Sequence, residues 1–426
     1  AVTAIYEDHG LEGLLNLASR LEAPGFLGAS LAAAATAVDP EDVVRLLDSN
    51  AEKEVLFATG FVRRQSAGEA EWLVSRAKAY VDRPLLQARL LLCCDDLDVA
   101  WTSALELGPD VDEAYWDEFS GYGRGEDFDR VNEVAAKLLA HGRAAAALDF
   151  LAVYSYREPD SIDAMLVADG LDAVLAGNDR EIALLASYDF PRLLEVLRES
   201  SLDAERVALL EWKLLPATNM GVGPAAATLE RKLSQDPEFF VEIVSLCFKS
   251  RDSDEDFDTP AHVAQNAYRL LDHWSHVPGS DEPGASVDLG RLDSWVTDAR
   301  RLLRDVNRLE IGEKQIGKVL AHSPEDPDGT WPCRAVRGLI ERSANADLEA
   351  GLYIECHKMR GVTSRGVTEG GDQERGLADM YRGRAEKIKD SWPRTAAVLR
   401  LVADSYEAQA AMCDQEAERR EEGLDP

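Results

Sequence analysis

Apolar residues recur every three or four positions along almost the whole chain, broken only by short connectors rich in Asp, Pro and Gly. Leu11, Leu14, Leu15, Ala18 and Leu21 open the series, and that spacing lines one face of a helix. Pro24-Gly25 closes this run, and a second apolar stretch extends to Val38. At Asp39-Pro40-Glu41-Asp42 the chain restarts with a capping Asp, a Pro in the first turn and acids at the positive helix end. Val43, Val44, Leu46 and Leu47 carry the next buried stripe. The same grammar returns at Pro84, at Asp127 before Phe128, at the His141-Gly142-Arg143 joint, at Asp160-Ser161, at Asp203 and at Asp236-Pro237-Glu238. Helices of about 12 to 18 residues with short connectors are the pattern of stacked hairpins.

No apolar-polar alternation is long enough for a strand ladder. Aromatic residues make up only 7% of the chain, while Ala and Leu dominate, which favours helices over sheets. The expected fold is therefore all-α: an irregular helical-hairpin solenoid of the HEAT/TPR-like kind, with a C-terminal helical module. Neither a tetratricopeptide nor an ankyrin consensus repeats strictly, and the hairpin spacing is irregular.

Two stretches interrupt the array. Arg251 to Thr259 reads RDSDEDFDT, and Val277 to Gly290 reads VPGSDEPGASVDLG. They bracket one helix, Ala261 to Trp274. The expected division is a helical-repeat array over 1–250, loops around that helix over 251–290, and a C-terminal module over 291–426.

The net charge of −33 and the pI near 4.6 weigh against a general nucleic-acid binder and against an anionic membrane surface. No apolar run approaches the roughly 18 residues that a membrane span needs, and no signal peptide opens the chain. A cytoplasmic location is expected. The six cysteines include no C-x-x-C pair, so they read as buried thiols in a reducing compartment. The chain opens on Ala1 and not on Met, which is read here as the mark of a piece of something longer.

Chemistry-bearing motifs are sparse. His273 and His276 lack a third ligand in sequence reach. Cys356 and His357 are neighbours in sequence, but successive helical residues point about 100° apart. Asp326-Pro327-Asp328-Gly329 lacks the further oxygens of a calcium loop and reads as a capped turn. The glycines of Gly121-Tyr122-Gly123-Arg124-Gly125 follow no strand. There is no G-x-x-x-x-G-K-[ST] and no G-x-S-x-G. No catalytic residue, cofactor or metal is assigned. Most of the eight Trp residues sit in apolar stripes and are expected in the core.

One region departs from this monotony. From Lys358 to Arg400 basic residues outnumber acidic ones, and Arg360 to Gly371 is the most Gly-rich segment of the chain. A helix is expected from Asp372 to about Asp390, and a last one from Pro393 to about Glu422. Free N–H groups at the start of the first could meet an anion, with Arg360, Arg365, Arg375, Arg382 and Arg384 as the candidate residues for an anion or a partner. In the alternative, the segment is an interhelical turn whose arginines pair with Glu369, Asp372 and Glu374.

The segment RGVTSRGVTEGGDQERGLADMYRGRAEKIKDSWPRTAAVLRLVADSYEAQA carries a resemblance, together with IGKVLAHSPEDPDGTWP, DPEFFVEIV and the opening YEDHGLEGLLNLA. It resembles the C-terminal helical-repeat region of large bacterial multidomain proteins, some with an N-terminal effector or a NACHT-type ATPase domain, in the manner of anti-phage sensors. The resemblance covers most of the chain and supplies no catalytic residue. It implies the sensor or scaffold end of a bacterial defence or signalling protein, acting through a protein partner or self-association and not as an enzyme itself. A stand-alone oligomerisation scaffold and an unrecognised helical enzyme are the alternatives.

Overall fold

The computed structural model describes residues 2–34, 38–67, 69–120, 130–177, 189–216, 226–250, 259–361, 363–366 and 369–421. Among these residues the protein is all-helical, with 22 α-helices and no strand. Four features read from the sequence lie wholly or partly outside them: the glycines of 121–125, the Asp127 helix start, the acidic run after Ser250, and the end of the apolar stretch before Val38.

The chain forms two compact units, Ala1–Ser200 and Ser201–Pro426. The first contains α1 (Val2–Ala18), α2 (Pro24–Ala33), α3 (Pro40–Val44), α4 (Glu52–Gln65), α5 (Ala70–Ala79), α6 (Pro84–Leu92), α7 (Leu97–Leu107), α8 (Pro109–Glu118), α9 (Val131–Ala140), α10 (Ala144–Ser155), α11 (Ala164–Ala176) and α12 (Asp189–Glu199). The second contains α13 (Ala204–Leu214), α14 (Ala227–Gln235), α15 (Pro237–Cys247), α16 (Ala261–His273), α17 (Leu289–Asp305), α18 (Leu309–Leu320), α19 (Arg334–Ser343), α20 (Ala346–Lys358), α21 (Asp372–Ile388) and α22 (Pro393–Glu421). Within each unit some helices pack on a neighbour, as α9 on α10 and α21 on α22, and others on the next but one. Examples are α2 on α4, α6 on α8, α15 on α17 and α18 on α20. That is how stacked hairpins bury an apolar stripe that no single hairpin could cover.

Starts of helices follow the expected chemistry. Asp39 accepts from Glu41 N at 3.0 Å ahead of α3, and Asp236 accepts from Glu238 N at 2.9 Å ahead of α15. Asp160-Ser161 is different: it lies in a single 3-10 turn, and the cap of α11 is Asp163, which accepts from Met165 N at 2.8 Å.

Ends of helices are tied by arginines from distant sequence. Arg89 reaches Leu47 O at 2.6 Å, Arg143 reaches Phe119 O at 2.6 Å, and Arg308 reaches Phe248 O at 2.8 Å. Phe119 and Phe248 cap earlier helices and Leu47 lies in the 3-10 turn after α3, where carbonyls lack intrahelical partners. Glycines allow the closest helix approaches. A Cβ on Gly317 of α18 would stand 1.9 Å from Leu348 O of α20, and one on Gly351 would stand 2.0 Å from Lys314 O. Gly28 of α2 faces Phe57 O of α4 in the same way.

The unit boundary falls near residue 200, ahead of the division at 250 that the loops suggest. Helices α13 to α15 share one apolar cluster with the C-terminal helices, running from Ala208 to Tyr406. At its centre Phe240, Trp274 and Trp295 meet with ring centroids 5.1 to 5.8 Å apart. In the Pro/Gly-rich stretch 277–290 the first four residues are packed and most of the rest are exposed. Val277 and Ser280 are buried, and Gly279 O accepts from Asp288 N at 3.0 Å and from Arg291 at 2.7 Å.

Candidate functional site

Helix α20 ends where Gly361 takes a positive φ of 68°, a turn that favours glycine. The connector from there to α21 holds the Arg–Gly segment; its residues 362, 367 and 368 lie outside the described set. Arg360, at the end of α20, and Arg365, within the connector, converge on Glu374 in the first turn of α21. The Glu374 side chain is only 1% exposed. Arg365 also donates to Cys413 Sγ on α22. A buried carboxylate held by two guanidiniums therefore joins α20, the connector and α21, and the thiol links it to α22.

Further contacts hold other described residues of the segment. Gly366 N donates to Glu369 at 2.9 Å, Gln373 Nε2 to Ser364 O at 3.1 Å, and Gly371 N to Asp414 Oδ1 at 2.8 Å. Position 371 tolerates no side chain, since a Cβ there would lie 2.3 Å from Ala410 O. Below the ion group lies an aromatic floor. The Tyr381 and Tyr406 hydroxyls both donate to Cys356 O, at 3.3 and 3.4 Å, and the His357 ring lies 4.6 Å from that of Tyr406. Arg360 stands over Tyr406 at 5.8 Å.

Burial alone would push the Glu374 carboxyl up. The Arg360 hydrogen bond and the charges of both arginines outweigh it, so its pKa lies below the ordinary value. The group is not fully satisfied: Glu374 Oε2, Arg360 Nε and Arg365 Nε are buried and meet no hydrogen-bond partner among the described residues. Burial holds the neighbouring His357 below the ordinary imidazole pKa.

The structure brings two of the five candidate arginines together and leaves three apart. Arg375 pairs with Asp372 at 2.7 Å and with Asp414. Arg382 pairs with Asp379 at 2.9 Å and Glu407 at 3.3 Å. Arg384 pairs with Glu325 at 3.1 Å and stands 4.7 Å over Trp331. Each of the five thus has a carboxylate of this chain, two of the partners being the expected Asp372 and Glu374. Sequence reading missed Cys413 and Asp414, which approach from 39 to 48 residues away with no local signal.

The other motifs resolve into structure. Asp326 closes a turn through Gly329 N and Thr330 O, and Arg337 and the N–H of Arg334 hold its carboxylate. His273 Nδ1 meets Arg269 O at 2.9 Å, while buried His276 meets Ser280 O at 3.3 Å. Trp101, Trp116, Trp274, Trp295 and Trp331 are buried. No helix among the described residues is long and apolar enough to cross a membrane, and no group of three His, Cys, Asp or Glu among them could hold a metal ion. No family model, curated protein or solved structure matches the chain.

Proposed function

We propose that this chain is a non-catalytic helical interaction module, the sensor or scaffold part of a larger bacterial defence or signalling protein. The observation that supports the reading is the anchoring of the Arg–Gly connector. Ordered loops set on a rigid scaffold are where recognition concentrates. The buried Glu374 carboxylate holds this one at Arg360 and Arg365, while Thr363 and Ser364 between them stand exposed. A tip held this way recognises a partner without first having to be ordered. Exposed Met359 at its base adds an adaptable apolar contact.

The test must spare the ion group. Reversing Arg360 or Arg365 would leave Glu374 facing a like charge in a buried setting, and lost binding would then be confused with local unfolding. The tip is the proper target. Affinity capture from cells, with and without phage infection, would compare wild type with Thr363→Glu/Ser364→Glu at matched helicity. We expect a protein retained by wild type and lost by the tip variant. Equal retention would place the working surface elsewhere. No retention, with mass rising with concentration in sedimentation, would favour a self-associating scaffold.

A further inference from the structure

A second feature, independent of the Arg–Gly connector, lies in the Ser201–Pro426 unit. A cavity of about 790 Å³ opens where the end of α15 meets the α17–α18 turn and the start of α20. That is within the roughly 300 to 1,000 Å³ range of small-molecule sites. Four cations line it: Lys249, Arg304, Arg308 and Lys314. Glu310, Glu313 and Asp347 share the wall, so four cations face three carboxylates, a slight positive excess in a chain of net charge −33.

The pairing around the cavity decides how much of that charge is available. Lys314 is shared by Glu310 at 3.0 Å and Asp347 at 3.4 Å. Glu313 is taken by Arg300, with two contacts at 2.6 and 2.9 Å. Among the described residues, Lys249, Arg304 and Arg308 meet no carboxylate within ion-pair distance. Arg308 is nonetheless fixed, because it donates to Phe248 O and Val306 O at 2.8 Å each. Lys249 and Arg304 are exposed at the rim. The cavity therefore combines one oriented guanidinium with two rim cations free to close on a ligand.

We propose that this cavity binds a small phosphorylated molecule. Three cations with no carboxylate partner among the described residues suit a group that carries more than one negative charge and offers several acceptor oxygens. Asn307 and Asn345 add polar side chains to the wall. Size and surroundings separate this ligand from a nucleic acid. An extended polyanion would lie along the acidic surface beyond the cavity, whereas a small one stays within a Debye length of about 8 Å of the cations.

The test is calorimetric titration of the full chain with inorganic pyrophosphate at low ionic strength. Lys249→Gln/Arg304→Gln is the disabling variant. Both side chains are exposed and enter no described ion pair or hydrogen bond, so the fold should be unaffected. Arg64→Gln, an exposed arginine of α4, is the control. We expect saturable one-to-one binding that weakens about tenfold or more in the double variant and is unchanged in the control. Absence of saturable binding, or equal binding by wild type and the double variant, would overturn the proposal.

Discussion

Withdrawing a carboxylate from water costs several kcal/mol unless cations and donors replace the solvent. Glu374 is almost wholly withdrawn and has two guanidiniums in exchange. Removing its charge would leave both cations in place without a counter-ion. We therefore expect Glu374→Gln to cost about 3 kcal/mol, in the range for breaking a buried pair, read by denaturant titration. Its pH dependence has a definite sign. The folded-state pKa is depressed, so the stabilisation is fully present above the ordinary Glu pKa and is lost as pH falls through the lower, folded-state value. The difference between wild type and Glu374→Gln should be widest at neutral pH and shrink below about pH 4.3. A difference that stayed constant down to pH 3 would mean that packing, and not charge, holds the connector.

Helix starts were legible from the sequence because their chemistry is local: a cap acts on N–H groups two or three residues ahead. Asp39, Asp236 and the Pro-led starts of α6 and α22 stand where that rule puts them. Helix ends were less legible, because the arginines that tie them are separated from their acceptors by 24 to 60 residues. Nothing local distinguishes Arg143 or Arg308 from an arginine at the surface. The same limit explains the candidate site. The Arg–Gly segment stood out by composition, but which arginines would converge depended on where α20 delivers Arg360 and where α22 places Cys413. The 277–290 stretch lies inside the second unit; Pro and Gly mark a turn equally well within a unit and between units. Helix–helix approach gives a prediction at this scale. Gly351→Ala would drive a methyl group into Lys314 O, and α18 and α20 would have to separate. We expect a loss of about 1 to 3 kcal/mol in the thermal or denaturant unfolding of the chain. An exposed glycine with open space around it, such as Gly383, offers the control, where alanine should do no harm.

The second unit closes a core of its own, and this sets what can be separated. The apolar cluster of the second unit begins at Ala208 and draws on α13 through α22. Its carboxylates serve helices of the same unit: Glu211 accepts from Thr228 N and Leu229 N at the start of α14, and Glu341 from Thr395 N at the start of α22. A chain whose core and helix caps are supplied internally should fold by itself. We expect the fragment Ser201–Pro426 to give a cooperative unfolding transition, with the anion cavity and the Arg–Gly connector both retained. Charge adds a second expectation. With a net charge of −33, self-repulsion opposes the compact state, so the midpoint of the full chain should rise as sodium chloride is raised toward about 0.5 M and the Debye length shortens. The salt arm also tests the cavity, because screening should weaken pyrophosphate binding over the same range in which it stabilises the fold. A fragment that failed to fold at any salt concentration would show that the second unit depends on the first, and the two would then have to be treated as one cooperative body.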